Sequence, residues 1–92
     1  MFDGRHCTYQ DLELLKKETN KIRLLVAQND FDYKLLLEFV RFIERFDEGI
    51  ASKMRFQFEC ADKDVDKIKT IIESNVDTIV QSVIVDINEH HD

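Results

Sequence analysis

The chain has 92 residues, of which 43% are hydrophobic and 35% are charged, and its 19 acidic residues outnumber 13 basic ones for a net charge of −6. This length accommodates one domain, and the hydrophobic content argues against a disordered chain. The acidic surplus argues against direct nucleic-acid binding, which needs a basic surface, and no apolar run approaches the roughly 18 residues of a membrane span.

The negative charge is concentrated in the last third of the chain. Residues 61–92 contain eight acidic and three basic side chains, whereas residues 1–29 contain four acidic and five basic ones. Because an uneven charge distribution attracts ligands of the opposite sign, the sequence predicts a basic partner.

The first predicted element is a helix that begins at Tyr9 and ends near Gln28. Thr8 and Asp11 have the spacing of a capping box, with Asp in place of the usual Glu. Residues spaced alternately by three and four positions then share one face of this helix, namely Leu12, Leu15, Thr19, Ile22 and Val26.

A second helix is predicted from a cap at Asn29-Asp30 to about Glu48, ending at Gly49 as its left-handed C-terminal residue. It carries two adjacent apolar rows, which together make a stripe wider than one neighbouring helix needs. We therefore expect this helix to be the central element of the fold, covered from two sides.

The second half of the chain predicts a strand, a helix and a second strand. Residues 53–60 alternate between apolar and polar side chains, which is typical of a half-buried strand. A third helix follows a cap at Asp62 or Asp64 and reaches Ile79, and the β-branched run Val80 to Ile87 predicts another strand.

The predicted fold class is therefore α+β, in the order helix-helix-strand-helix-strand, with residues 1–92 forming a single domain and the helices covering a small sheet. Two strands alone form a marginal sheet with exposed edges. Pairing of these edges across a two-fold axis predicts a homodimer.

Two groups of acidic residues are candidates for a partner-binding surface. One group shares a face of the third predicted helix over roughly 22 Å, and it consists of Asp62, Asp66, Glu73 and Asp77. The other closes the second predicted helix, where the helix dipole disfavours carboxylates, and it consists of Glu44, Asp47 and Glu48. Such placement indicates a role beyond local structure, and the alternative interpretation is an ordinary solvated surface.

No motif for catalysis, for a cofactor or for a metal is present. The histidines lie near the termini, beside Cys7 at one end and Glu89 at the other, without the spacing of a metal site. Cys60 falls on the apolar side of its predicted strand, which predicts a packed thiol, and both cysteines are expected to be reduced. The sequence thus predicts a protein that is not an enzyme. The absence of an apolar segment after Met1 predicts a cytoplasmic location.

A small, acidic, proline-free α+β chain without a catalytic motif resembles the Arn-like anti-restriction DNA-mimic proteins of bacteriophages. The resemblance rests on size and charge over the whole chain, and it transfers no functional residue. It implies a dimer that presents carboxylates in place of DNA phosphates and occupies the DNA-binding site of a host restriction nuclease or nucleoid protein. The alternative is a small dimeric regulatory or scaffold module that binds a protein through its sheet edge or its second helix.

Overall fold

The computed structural model describes residues 8–89, and this part of the chain folds into four α-helices. They are α1 (Tyr9–Ala27), α2 (Tyr33–Glu44), α3 (Glu48–Ala61) and α4 (Val65–Glu89). Helices account for 85% of the described residues, among which there is no strand. The predicted α+β class is therefore wrong, and the fold is all-α.

The first predicted strand, residues 53–60, lies inside α3. Met54 and Phe58 are buried, as a strand also requires, but Phe56 is 66% exposed. Residues four apart share a face both in a helix and in a strand, so this pair of buried residues fits either structure. The helical period becomes visible only with Ala51 and Ala61, which extend the buried face in both directions.

The second predicted strand, Val80 to Ile87, is the last third of α4. Its buried residues Val83 and Ile87 continue at four-residue spacing from Ile79 and extend the apolar face of the preceding helix. Isoleucine and valine lower helix propensity by only a few tenths of a kcal/mol each, whereas burial of each side chain contributes about 1.5–3 kcal/mol. Packing therefore outweighs the strand preference of this segment.

The boundary between the second and third helices also differs from the prediction. α2 ends at Glu44, and Asp47 begins α3 as its N-cap, accepting a hydrogen bond from the Ile50 backbone N–H at 3.0 Å. Gly49 lies within the first turn of α3 and is not a C-terminal residue of α2.

The prediction for α1 is confirmed to within one residue at its end. The Asp11 backbone N–H donates to Thr8 Oγ1 at 3.3 Å, and the Thr8 N–H donates to the Asp11 carboxylate at 2.9 Å, which completes the capping box. All five residues of its predicted apolar face are buried. The helix ends in a Schellman motif in which Asn29 has a φ of 58°.

The four helices enclose one hydrophobic core within an envelope of 44 × 22 × 18 Å. The closely packed pairs are α2 with α3, α3 with α4, and α4 with α1. α3 and α4 therefore each pack closely against two other helices. α2 packs closely only against α3, so the prediction that it is the central element is wrong. Since the described residues form no sheet, the expectation of a homodimer loses the strand edges on which it depended.

Candidate functional site

An apolar groove of about 460 Å³ runs between α3 and α4. α3 contributes Phe56, Gln57, Cys60 and Ala61, and α4 contributes Asp66, Lys67, Thr70 and Ile71. Phe56 is the most exposed large apolar side chain among the described residues, at 66% of its surface, and it lies at this groove. An exposed phenylalanine beside an apolar depression is a common feature of protein-docking surfaces.

A partly buried hydrogen bond joins the two helices beside the groove. Asn75 Nδ2 donates to Gln57 Oε1 at 2.8 Å and to the Ile71 carbonyl at 2.7 Å, and Asn75 is only 4% exposed. At the other end, the backbone N–H of Asp64 donates to the Ala61 carbonyl at 3.1 Å and closes the turn between α3 and α4. The groove is therefore held by polar contacts at two points.

The α4 side of the groove continues into a row of small hydroxyl residues. Thr70, Ser74 and Thr78 each donate their hydroxyl to the carbonyl four residues earlier, at 3.0, 2.9 and 3.1 Å. Because these hydroxyls already have an acceptor, a partner could cover them at a lower desolvation cost than it would pay for unpaired hydroxyls.

Three of the four residues in the first acidic group lie together. Asp66, Glu73 and Asp77 are exposed on one face of α4, over about 17 Å along the helix, and Asp66 also lines the groove. Within the described residues, none of these carboxylates has an ion pair or a side-chain hydrogen bond. Asp62 lies outside this row, in the turn before α4, with a φ of 55°.

The second acidic group has a local explanation that the sequence analysis missed. Asp47 caps α3 and Glu48 lies in its first turn, where the helix dipole favours a carboxylate. Glu44 is the exposed last residue of α2. The inference that these acids stand against helix preference is therefore wrong for Asp47 and Glu48.

The same explanation applies at other helix starts. Asp32 accepts from the Leu35 N–H at 2.8 Å, and Asp64 accepts from the Lys67 N–H at 3.2 Å. Part of the acidic surplus thus stabilises helix N-termini. The remaining candidate surface is the row Asp66, Glu73 and Asp77 on α4.

Neither a metal centre nor a packed thiol is present in the part of the chain that the structure describes. No group of three His, Cys, Asp or Glu there could hold a metal ion. Cys60 is a free, exposed thiol, so the prediction that it is packed is wrong. Cys7 and the three histidines lie outside the described residues.

Between residues 8 and 89, no helix combines the length and the apolar character that a bilayer span requires. No protein-family model, no curated protein and no solved structure matches the chain. The proposed function therefore depends on the geometry of the α3–α4 groove and of the acidic residues beside it.

Proposed function

We propose that the chain is a protein-interaction module whose α3–α4 groove binds an amphipathic, basic helix of a partner protein. The observation that supports this is the placement of Phe56, 66% exposed, at an apolar groove of about 460 Å³. Burying a phenylalanine side chain contributes about 1.5–3 kcal/mol, so this residue is suited to anchor a partner.

The charge beside the groove favours a basic occupant. Within the groove lining the charges of Asp66 and Lys67 cancel. The negative charge comes from Glu73 and Asp77, which extend the Asp66 face of α4 with unpaired carboxylates. From Thr70 to Glu89, α4 contains no Lys or Arg. A partner helix with one apolar face and a neighbouring face of Lys or Arg fits this arrangement. Its apolar face would pack on the groove and its basic residues would contact the carboxylates of α4, as in other helix-in-groove complexes.

Cys60 supports a reducing compartment as the site of this interaction. An exposed thiol persists in the reduced cytoplasm, whereas oxidising compartments favour its conversion to a disulfide. We therefore propose that the module acts in the cytoplasm.

The test compares two substitutions of equally exposed apolar residues. Phe56→Gln removes the anchor from the groove, whereas Leu24→Gln changes a residue of α1 that is 62% exposed and does not line the groove. Partners captured from a lysate by the immobilised protein should be lost with Phe56→Gln and retained with Leu24→Gln. Equal retention by both variants would show that the groove is not the docking surface.

A second candidate function is the DNA mimic, which the unpaired row Asp66, Glu73 and Asp77 favours. In that case the row would replace phosphates in the DNA-binding site of a restriction nuclease or nucleoid protein. Three carboxylates over about 17 Å are sparse beside one phosphate per roughly 3.4 Å of each DNA strand. Mimicry would therefore need acidic surface from a second copy in a homodimer.

The two functions respond to opposite variants. Charge reversal by Glu73→Lys together with Asp77→Lys should abolish binding by a mimic, and excess duplex DNA should displace its partner. Phe56→Gln should leave a mimic unaffected. An interaction module should lose its partner with Phe56→Gln, retain it against DNA, and weaken only moderately with rising salt.

A further inference from the structure

A second cavity, of about 760 Å³, lies between the α1–α2 connection and the C-terminal end of α3. Phe58 and Leu36 also line it, but the protein already covers almost all of their surface, since each is 1% exposed. Phe31 and Tyr33 add two aromatic rings, and three carboxylates also line the cavity. That of Asp32 already caps α2, and those of Glu59 and Asp62 face no helix N-terminus. This cavity, called here the Phe31 cavity, shares no residue with the α3–α4 groove.

We propose that the Phe31 cavity binds an alkyl ammonium or guanidinium group, carried either by a small amine or by a lysine or arginine side chain. Aromatic rings attract a cation through their faces, and carboxylates accept hydrogen bonds from it. The rings of Phe31 and Tyr33 also offer apolar surface to the alkyl chain that such a group carries. An anion would meet carboxylates, and a purely apolar ligand would have to desolvate them, so both are disfavoured.

The carboxylates of the cavity retain the capacity to accept further hydrogen bonds. Glu59 Oε1 accepts one bond, from the Tyr33 hydroxyl at 2.9 Å, which leaves its second oxygen available. The Asp62 carboxylate has no side-chain partner within the described residues. The Tyr33 hydroxyl is the donor that orients Glu59. Partial burial and the Glu59 carboxylate raise the pKa of Tyr33 against the opposing effect of Arg55.

Lys63 lies at the same cavity and provides an internal competitor. Its ammonium group is attracted to the same carboxylates that would bind a ligand cation, and it repels that cation. Removal of the Lys63 charge should therefore increase affinity, whereas removal of the Glu59 or the Asp62 charge should decrease it. Opposite effects from adjacent residues are a specific signature of this cavity.

The first measurement is an NMR titration of the full chain, following the backbone amides of residues 29–33 and 59–63. The probes are n-butylammonium, n-butylguanidinium and, as the neutral control, 1-butanol. We expect saturable shifts confined to these segments for the two cations, with a dissociation constant on the order of 1 mM, and none for 1-butanol at equal concentration. Shifts that do not saturate, or equal binding of 1-butanol, would overturn the proposal.

The second measurement uses substitutions that preserve side-chain shape. Asp62→Asn and Glu59→Gln should each weaken n-butylammonium binding by about fivefold, because a partly exposed charge pair is weak, and Lys63→Met should strengthen it by a similar factor. The matched controls are Glu13→Gln on α1 and Lys53→Met on α3, which make the same charge changes at exposed residues outside the cavity. If the controls change affinity as much, the binding reflects net charge alone and the proposal fails.

A blocked peptide with one lysine distinguishes the two sources of the cation. Tenfold tighter binding of that peptide than of n-butylammonium would indicate a protein side chain, and the reverse order would indicate a free amine. Either result supports the cavity, whereas binding of neither probe overturns it. Phe56→Gln should leave these titrations unchanged, so this inference stands or falls separately from the α3–α4 groove.

Discussion

Asn75 of α4 and Gln57 of α3 are joined by a hydrogen bond of 2.8 Å between Nδ2 and Oε1, directly beside the α3–α4 groove. Asn75 is one of two buried polar residues in the described chain and is only 4% exposed. A buried amide without its partners would cost about 1–3 kcal/mol, so this contact favours one register of the two helices.

Substitution Asn75→Ala should lower the free energy of unfolding by about 2 kcal/mol, because it removes two hydrogen bonds and leaves a small cavity. Gln57→Ala should cost about 1 kcal/mol, since Asn75 retains its bond to the Ile71 carbonyl. Urea denaturation of both single variants and of the double variant measures the coupling between them. An equal cost for Asn20→Ala, at an exposed position of α1, would contradict this role.

Thr19 is the other buried polar residue, and its hydroxyl oxygen has no hydrogen-bond partner in the described structure. Thr19→Val keeps the shape of the side chain and removes the unpaired hydroxyl. It should therefore raise the free energy of unfolding by about 1 kcal/mol. The control is Thr78→Val, which changes an exposed residue whose hydroxyl donates to Ser74, and its effect should stay within about 0.5 kcal/mol. Loss of stability with Thr19→Val would show that its hydroxyl does have a partner.

The Tyr33–Glu59 contact predicts a loss of stability in alkaline solution. Partial burial, the hydrogen bond to Glu59 and the charge of Glu59 raise the pKa of Tyr33 above 10.0, and together they outweigh the opposing effect of the Arg55 guanidinium. The folded state therefore holds the phenolic proton more tightly than the unfolded state. The resulting stabilisation is complete below pH 10 and is lost as the pH rises through the raised pKa.

Urea midpoints measured at pH 8 and at several values above pH 10 should show this loss in the natural chain. Tyr33→Phe should remove the alkaline decrease that this group causes. Glu59→Gln should reduce it, because the hydrogen bond remains possible while the charge that disfavours the phenolate is gone. An unchanged alkaline slope in Tyr33→Phe would assign the decrease to other groups.

Helix α1 could be predicted from the sequence because local and long-range signals agree there. The capping residues Thr8 and Asp11 mark its start, and its buried residues follow a helical period without a competing pattern. In α3 the local pattern and the long-range packing disagree. The strict alternation of residues 53–60 fits a strand, and the helical period depends on Ala51 and Ala61, which lie outside that segment. Only the packing against α2 and α4 decides between them.

The candidate site was even less accessible to sequence reasoning. The strand predicted for residues 53–60 would place Phe56 on its apolar, buried side with Met54 and Phe58, so the α3–α4 groove could not be predicted. The sequence also assigns Asp47 and Glu48 to a partner-binding surface, because it places them at the end of the second helix. Once α3 begins at Glu48, Asp47 and Glu48 become an N-cap and a first-turn anion.

The turn between α3 and α4 predicts opposite effects for two neighbouring aspartates. Asp62 has φ 55° and ψ −119°, close to the first central position of a type II′ turn, where glycine is preferred. An L-residue there costs about 1–3 kcal/mol, more than the 0.5–1 kcal/mol that glycine adds through its greater freedom in the unfolded chain. Asp62→Gly should therefore raise the free energy of unfolding by about 1 kcal/mol.

Asp64, two residues later, accepts a hydrogen bond from the Lys67 backbone N–H at the start of α4. Asp64→Ala removes that cap and should lower the free energy of unfolding by about 1 kcal/mol. Both variants remove one negative charge, so the charge effect cancels between them. The expected difference of about 2 kcal/mol in their urea-derived stabilities is the strain relieved at Asp62 plus the cap lost at Asp64. Equal stabilities would mean that Asp62 adopts another backbone conformation in solution.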